Sequence, residues 1–524
     1  MPAKTIQARL TCPKTLQYDL PNQEAQMDVS LADFEIWLVT GSQQIYGDAI
    51  LAQVAQDSEA IASYLDRDGR IPVRVVHVPT QIDASQIFQM CQRANSSERC
   101  VGLLMWMHTF SPAKMWIRGL QELRKPFMQL HTQFNRDIPW KNIDMEFMNL
   151  NQSAHGGREF GHIVSRMGIE RRVVVGHWKE EATREQIGVW ARAACGHRDL
   201  QGAKFARIGD NMREVAVTEG DKVEAEIRMG YSVNGYGVRD VVEVVDQVSD
   251  AEVDDLVSEY DSSYEMANDL RESGPRRESL RDAARIELGL LEFLTREGCK
   301  GFADSFQVLH GLKQLPGISA QRLMNQGYGF GGEGDWKTCA LLRALKVMSV
   351  GLPGGNSFME HYTYHFEPGR NLVLGAHMLE ICESIASGKP RCEIHPLFVG
   401  GREDPVRLVF DVDPGPAINV SIVDLGHRFR IIVNEVDAVR PLEDLPNLPV
   451  ARAVWKPRPN LQIAAGAWIL AGGAHHTVYS QTLTSGHIED FAEMLGIELV
   501  VIDQETRIRE FKRELRNNEA YYRS

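Results

Sequence analysis

The chain has 524 residues, 43% of them hydrophobic and 24% charged, which is the composition of a water-soluble globular protein. That length exceeds one ordinary core and suggests about two to four domains. Its formal charge, 57 − 71 = −14, argues against nucleic acid or an anionic membrane as the main partner, since both need a basic footprint.

Met1 to Met27 is polar and lacks an apolar core, so it reads as a poorly ordered extension and not as a secretory signal, with Met27 an alternative start. From Phe34 short apolar runs alternate with helical stretches. Ile36–Val39, Val73–Val78, Val101–Trp106 and Phe127–Leu130 read as strands. Helices are expected near Ile50–Leu65, Ala84–Asn95 and Pro112–Leu123. This alternation predicts right-handed βαβ units and a parallel sheet, with ligands beyond the carboxyl ends of the strands. The loops there are rich in polar side chains: Gly41 to Gly47, His108 to Phe110, His131 to Gln133, and Asn151 to Glu159.

A second series starts near Val173–Val175 and continues through Phe205–Ile208, Gly209 to Glu214 and Val241–Val245. An acidic, Ser-rich connection around Asp250 to Ser273 then leads to a helix over Leu280–Arg296. After about residue 355 the runs Arg407–Phe410, Ala417–Val423 and Phe429–Val433 are separated by Pro, Gly and Asp with little helix, as in a barrel-like β domain. The expected division is an extension over 1–27, α/β domains over 28–203 and 204–354, and a β-rich domain over 355–524.

Eight cysteines without a Cys-x-x-Cys fit a reducing, cytoplasmic setting, and no run of about 18 apolar residues could span a membrane. The glycine-dense stretch Gly327 to Asp335 formally contains a dinucleotide fingerprint, Gly327-x-Gly329-x-x-Gly332. It follows a helical segment, Ala320 to Gln326, and not a strand, so the setting of a phosphate turn is missing. Glu333, Glu360, His377 and the pair His475–His476 all stand beside glycines or aromatics. Each alone reads as an ordinary residue: Glu333 as a carboxylate serving the helix after it, Glu360 as a surface group, His377 as a core histidine. Together they are a plausible first shell for a divalent metal, although they are too far apart to share one helix face.

Longer motifs carry a resemblance. Gly41-Ser-Gln-Gln-Ile-Tyr-Gly47, Trp106-Met-His-Thr-Phe-Ser-Pro-Ala-Lys-Met-Trp116, His131-Thr-Gln-Phe-Asn135, Asn151-Gln-Ser-Ala-His-Gly-Gly-Arg-Glu159, Gly209-Asp-Asn-Met-Arg-Glu-Val215, His310-Gly-Leu-Lys-Gln-Leu-Pro-Gly317, Gly332-Glu-Gly-Asp-Trp-Lys-Thr338, Ser357-Phe-Met-Glu360 and Ala471-Gly-Gly-Ala-His-His-Thr477 are similar to the L-arabinose isomerases, in order from about Phe34 to near the C-terminus. The run Ser305-Phe306-Gln307-Val308 departs from the family's Thr-Phe-Glu-Asp, and Gln44 replaces a common His.

The resemblance implies two Rossmann-like α/β domains followed by a barrel-like one, assembled as a homohexamer with active sites at subunit interfaces. It implies isomerisation of L-arabinose to L-ribulose, with side activity on D-galactose, and a divalent cation: manganese, with cobalt or magnesium as substitutes. By position, its metal ligands fall on Glu333, Glu360, His377 and His476, the two glutamates also serving catalysis. Its sugar pocket falls on Gln43, Ile45, Tyr46, Phe110, Gln152, His155 and Met212. Competing readings are an isomerase of another aldose such as L-fucose, a non-catalytic sugar-binding protein and a nucleotide-dependent oxidoreductase.

Overall fold

A computed structural model describes residues 30–397 and 399–522, so the extension before Met27 lies outside the described residues. The first unit comprises β1 (Glu35–Gly41), α1 (Gly47–Leu65), β2 (Arg74–Gln81), α2 (Ala84–Ser96), β3 (Cys100–Met107), α3 (Ile117–Glu122), β4 (Phe127–His131), α4 (Met145–Leu150), α5 (Ser153–Arg166), β5 (Arg172–Val175) and α6 (Glu181–Leu200). Its strands form a parallel sheet in the order β2-β1-β3-β4-β5. Central β3 is buried at every position, which is why Val101 to Trp106 appears as an unbroken apolar run. Val173–Val175 does not open a second series: it is the fifth strand of this sheet, paired with β4. The helix expected over Pro112–Leu123 is split into a 3₁₀ turn, Ala113–Met115, and α3, with fully buried Trp116 at the junction.

The second unit holds β6 (Lys204–Ile208), α7 (Lys222–Met229), β7 (Ser232–Tyr236), α8 (Val238–Val245), α9 (Asp250–Ser263), β8 (Glu265–Met266), α10 (Arg277–Glu297), β9 (Gly301–Asp304), α11 (Gly317–Asn325), β10 (Gly329–Gly331) and α12 (Trp336–Met348). Its sheet is again parallel, in the order β10-β9-β6-β7. The valine-rich run Val241–Val245, interrupted by Glu243, is helical. Asp240 accepts from the Gly237 N–H at the start of α8, and Val241, Val244 and Val245 fall on one buried face at helical spacing. The acidic connection is likewise largely helical, because Ser249 and Glu252 form a capping box that nucleates α9.

The third unit contains β11 (Asn356–His365), β12 (Leu372–Ala376), β13 (Arg391–Ile394), β14 (Val406–Val409), β15 (Gly415–Asp424), β16 (Phe429–Val439), β17 (Arg452–Pro457), α13 (Leu461–Leu470), β18 (His476–Ser480), α14 (Ser485–Leu495), β19 (Glu498–Ile502) and α15 (Ile508–Tyr521). Six strands close an antiparallel ring, β15-β18-β11-β12-β17-β16 and back to β15, while β19 adds in parallel to β16. The chain is thus α/β, with two parallel-sheet units followed by a mainly β one with a ring-like sheet.

Helix α12 sits between the second sheet and this ring, with 12 of its 13 residues buried. A helix covered on all sides must be apolar all round, as Cys339-Ala-Leu-Leu342 and Ala344-Leu345 are. Its N-terminus brings the Glu333 to Asp335 turn onto the strands that carry the histidines.

Candidate active site

Strand register assembles the site. On β11, Glu360 lies directly opposite Ala376 of β12 and His476 of β18, and His377 follows Ala376. Side chains at paired positions emerge on the same face of a sheet, so three distant sequence segments meet here. Two residues earlier, on the same face, the buried Phe358 ring stands edge-on to His377 at 5.0 Å and to His476 at 4.9 Å.

Glu333 arrives from the other side, in a 3₁₀ turn Gly332–Gly334 where it adopts φ +59°. A non-glycine residue there is strained, and its surroundings must hold it. The turn is held by the Met212 N–H on Glu333 O at 2.9 Å and by Asn211 Nδ2 on Gly334 O at 3.2 Å. A Cβ on Gly332 would come within 3.2 Å of His377 Nε2 and of the Phe358 ring, and one on Gly331 within 2.0 Å of Asp335 O. The glycines therefore provide backbone clearance. A phosphate turn is further excluded by Asp335: as the N-cap of α12 it places a carboxylate at the helix end that would have to receive an anion. Asp335, and not Glu333, serves this helix terminus.

The Glu333 carboxylate approaches His475 Nε2 at 3.3 Å and His476 Nε2 at 3.8 Å. Ligand atoms of these three residues lie within 4.8 Å of one another, a spacing that can hold a metal ion. His475, which the resemblance leaves out of the ligand set, is thus nearer Glu333 than His476 is, while Glu360 and His377 stand beside His476 through strand register and a 6.0 Å ring contact. Each of the other two imidazoles has its Nδ1 on a carboxylate, His476 on Asp335 at 3.2 Å and His377 on Glu380 at 2.5 Å. This leaves His476 Nε2 buried without a hydrogen-bond partner. A carboxylate on one ring nitrogen fixes the tautomer and exposes the other nitrogen as a metal ligand. Asp335 and Glu380 were not singled out from the sequence. Their signals are the cap pattern Asp335-x-x-Thr338 and the three-residue spacing from His377 to Glu380.

The electrostatics point the same way. Burial disfavours charge on His377, yet Glu380, with Glu360 and Glu333 behind it, lifts the ring to about 9. Asp304, at the end of β9, is pushed up to about 8 by burial and by Glu380. Burial also opposes the charge on Asp335, but the buried Lys337 ammonium and His476 hold it well below the usual carboxylate range. Burial pushes His476 down, leaving a neutral ring. Glu380, Glu360 and Glu333 thus gather negative charge around His377, which a divalent cation would also offset. A donor set of carboxylates and imidazoles is of the kind that suits manganese better than calcium.

Four of the seven expected sugar-pocket residues, Tyr46, Phe110, Gln152 and His155, form a second assembly at the carboxyl ends of the first sheet. Gln152 Nε2 donates to Tyr46 Oη at 3.1 Å, its Oε1 meets His155 Nδ1 at 3.2 Å, and the His155 ring stacks on Phe110 at 4.5 Å. Gln152 and His155 line a cleft of about 440 Å³ together with Gln133, Phe147 and Met148. Gln43 precedes the 3₁₀ turn Gln44–Tyr46, and Ile45 within it is 81% exposed. The side-chain bonds and stacking just described stay within the first unit. Met212 is placed differently: its backbone holds the Glu333 turn of the same chain.

Three family models cover the chain: L-arabinose isomerase N-terminal domain over residues 30–202, central domain over 204–351 and C-terminal domain over 355–498. Curated relatives named L-arabinose isomerase include those of Flavobacterium johnsoniae, 58% identical over 94% of this chain and 98% of the relative, and Herpetosiphon aurantiacus, 58% identical over 94% and 99%. The one from Geobacillus thermodenitrificans is 57% identical over 94% and 99%. Among solved structures, a periplasmic sugar-binding protein from Legionella pneumophila covers 60% of this chain and 93% of its own at 10% identity and a TM-score of 0.13, too weak a likeness to bear on fold or function.

Proposed function

Because the chain belongs to the L-arabinose isomerase family, and is thus an aldose–ketose isomerase, we propose that its reaction depends on a divalent cation held by Glu333, Glu360, His377 and His476. The observation that carries this reading is the buried His476 Nε2, which has no partner while Asp335 occupies its Nδ1 and Glu333 stands 3.8 Å away. Manganese is the favoured ion, with cobalt or magnesium as substitutes. His475, on the same Glu333 oxygen, is placed either to orient that carboxylate or to donate to a sugar hydroxyl.

Converting L-arabinose to L-ribulose moves a proton from C2 to C1 and the carbonyl from C1 to C2, through an enediol or enediolate. A carboxylate is too weak a base for this unless the developing oxyanion is stabilised. A bound divalent cation supplies that stabilisation as a Lewis acid. Glu333 and Glu360 approach the site from opposite elements, the α12 turn and β11, so one can take the carbon-bound proton while the other moves a proton between the oxygens. Asp335 and Glu380 hold His476 and His377 in the orientation that presents Nε2. Phe358 and the ring strands exclude water from one side.

The sugar site is completed by the rim Gln43, Ile45, Tyr46, Phe110, Gln152 and His155. The rim's bonds stay within the first unit, while apolar side chains beside it, Trp140 at 79% and Met145 at 66%, are exposed. We therefore place the rim of one subunit over the Glu333 cluster of another, in a homohexamer. The described cysteines are all free and buried, which suits a cytoplasmic enzyme. No described helix is long and apolar enough to cross a membrane.

Ketose formation from L-arabinose, D-galactose and L-fucose, with and without a chelator, tests the reading. The expected result is preference for L-arabinose, slower turnover of D-galactose and loss of activity on chelation. Full activity in the metal-free protein would end the cation assignment. Mixing inactive Glu333→Gln with Gln152→Ala protein, at an L-arabinose concentration far below the raised KM expected of the latter, tests the shared site: co-assembled oligomers should regain activity, and none returns if each subunit's rim serves its own cluster.

A further inference from the structure

Beneath the rim lies a buried carboxylate–imidazole contact that no step above employs. Asp57, on the inward face of α1, meets His108, just beyond β3, at 2.8 Å from Oδ2 to Nε2, with side chains 4% and 0% exposed. The second Asp57 oxygen accepts from Gln53 Nε2 at 2.8 Å. The His108 ring stacks on Trp106 at 4.5 Å, its planes tilted by 16°. Removing a carboxylate from water is costly unless its oxygens are paired, and two apolar side chains would fill a core position as well. The contact therefore calls for a reason other than packing.

Its location supplies one. Helix α1 begins at Gly47, directly after Tyr46, so Asp57 anchors the element that carries that part of the rim. The three residues His108 to Phe110 touch Gln152, His155 and Ser42, the residue before Gln43. His108 O accepts from the Gln152 N–H at 3.0 Å, Thr109 Oγ1 meets Ser42 Oγ at 2.7 Å, and Phe110 stacks on His155. A Cβ on Gly156 would lie 2.4 Å from Thr109 O, so α5 also rests on this segment at backbone contact.

We propose that Asp57 and His108 are the positioning pair of the sugar rim: they set the spacing between Tyr46 on one side and Gln152 with His155 on the other, and through it the affinity for the sugar, without touching the cation or the transferred proton. This rests on reading the rim as the sugar-contacting surface. Small displacements in a binding constellation are expensive, and a loss confined to uniform binding appears in KM with kcat preserved.

The test uses full-length Asp57→Asn, His108→Gln and the double variant, with L-arabinose and saturating manganese, reading KM, kcat, bound manganese and thermal midpoint. Asp57→Asn is expected to raise KM about tenfold or more, with kcat within about twofold and bound manganese unchanged. The double variant, where one amide can donate to the other across the same gap, is expected to recover part of that KM. A lowered midpoint with KM unmoved overturns the proposal, as does a fall in kcat alone. Should Asp57→Asn not fold, His108→Gln, which keeps an N–H for the carboxylate but loses the stack on Trp106, reads the same split. Gln152→Ala is measured alongside. A raised KM there with none in the pair variants overturns the pair alone, and an unmoved KM in all of them removes the rim reading and the pair with it.

Discussion

His476 divides its two ring nitrogens between a carboxylate that orients it and a buried position with no partner, and Asp335 is the residue responsible for that division. Asp335→Asn is therefore expected to weaken manganese binding by about 10- to 100-fold, the usual cost of losing an orienting carboxylate, measured by titrating metal into the metal-free enzyme. His476→Ala and Glu333→Gln should abolish both metal retention and turnover. A His476→Ala protein that still retains manganese would show that His475 takes its place. Sequence reading reached Glu333, Glu360, His377 and His476 through resemblance. From the residues alone each is an ordinary side chain and only the set is a plausible first shell, because a ligand's identity lies in what stands behind it, and Asp335 meets His476 only in space.

At the scale of elements, close approach decides where glycine is required. Gly375 sits on β12 just before His377, and a Cβ there would lie 2.1 Å from the Trp455 ring of neighbouring β17. Gly375→Ala should cost about 1–3 kcal/mol through overpacking and also weaken metal binding, because the strand that positions His377 must shift. Gly69→Ala, with nothing within 4 Å and no positive φ, is the control and should leave the thermal midpoint nearly unchanged. Most strands and helices of the first unit were legible because β3 is a continuous apolar run and Asp83 caps α2 in plain view. Val241–Val245 was not, since four valines around a single Glu243 fit either period and the deciding signal was the Gly237–Asp240 contact at the helix start.

Across the whole molecule, the first and third units are tied by Arg172 of β5 and Asp490 of α14, 3.2 Å apart, with the Asp490 side chain 1% exposed. Burial pushes Asp490 up to about 7 against the pull of Arg172, with Glu493 and Glu489 adding to the rise. Its ordinary value in the unfolded chain is about 3.9. Between those values the folded state binds more protons than the unfolded one, so this group's contribution to stability is fully present at low pH and is lost as pH rises towards 7. The urea midpoint of the wild type should thus fall relative to Asp490→Asn between about pH 5 and 7 and run parallel to it above about pH 8. A difference that stays flat across this range would show that Arg172 keeps Asp490 ionised throughout.

Composition, charge and apolar periodicity by themselves determined a multi-unit α/β chain ending in a β-rich portion, with polar loops gathered at one end of a parallel sheet. These features are local, and hydrophobic burial writes them into every few residues. Only the tertiary structure decided that the β-rich strands close a six-membered ring, that Glu360 lies opposite His476, and that the turn before α12 sets Glu333 beside His475 and His476. Register between distant strands and the carboxylates behind each imidazole are set by contacts between residues far apart in the chain, and no local pattern carries them.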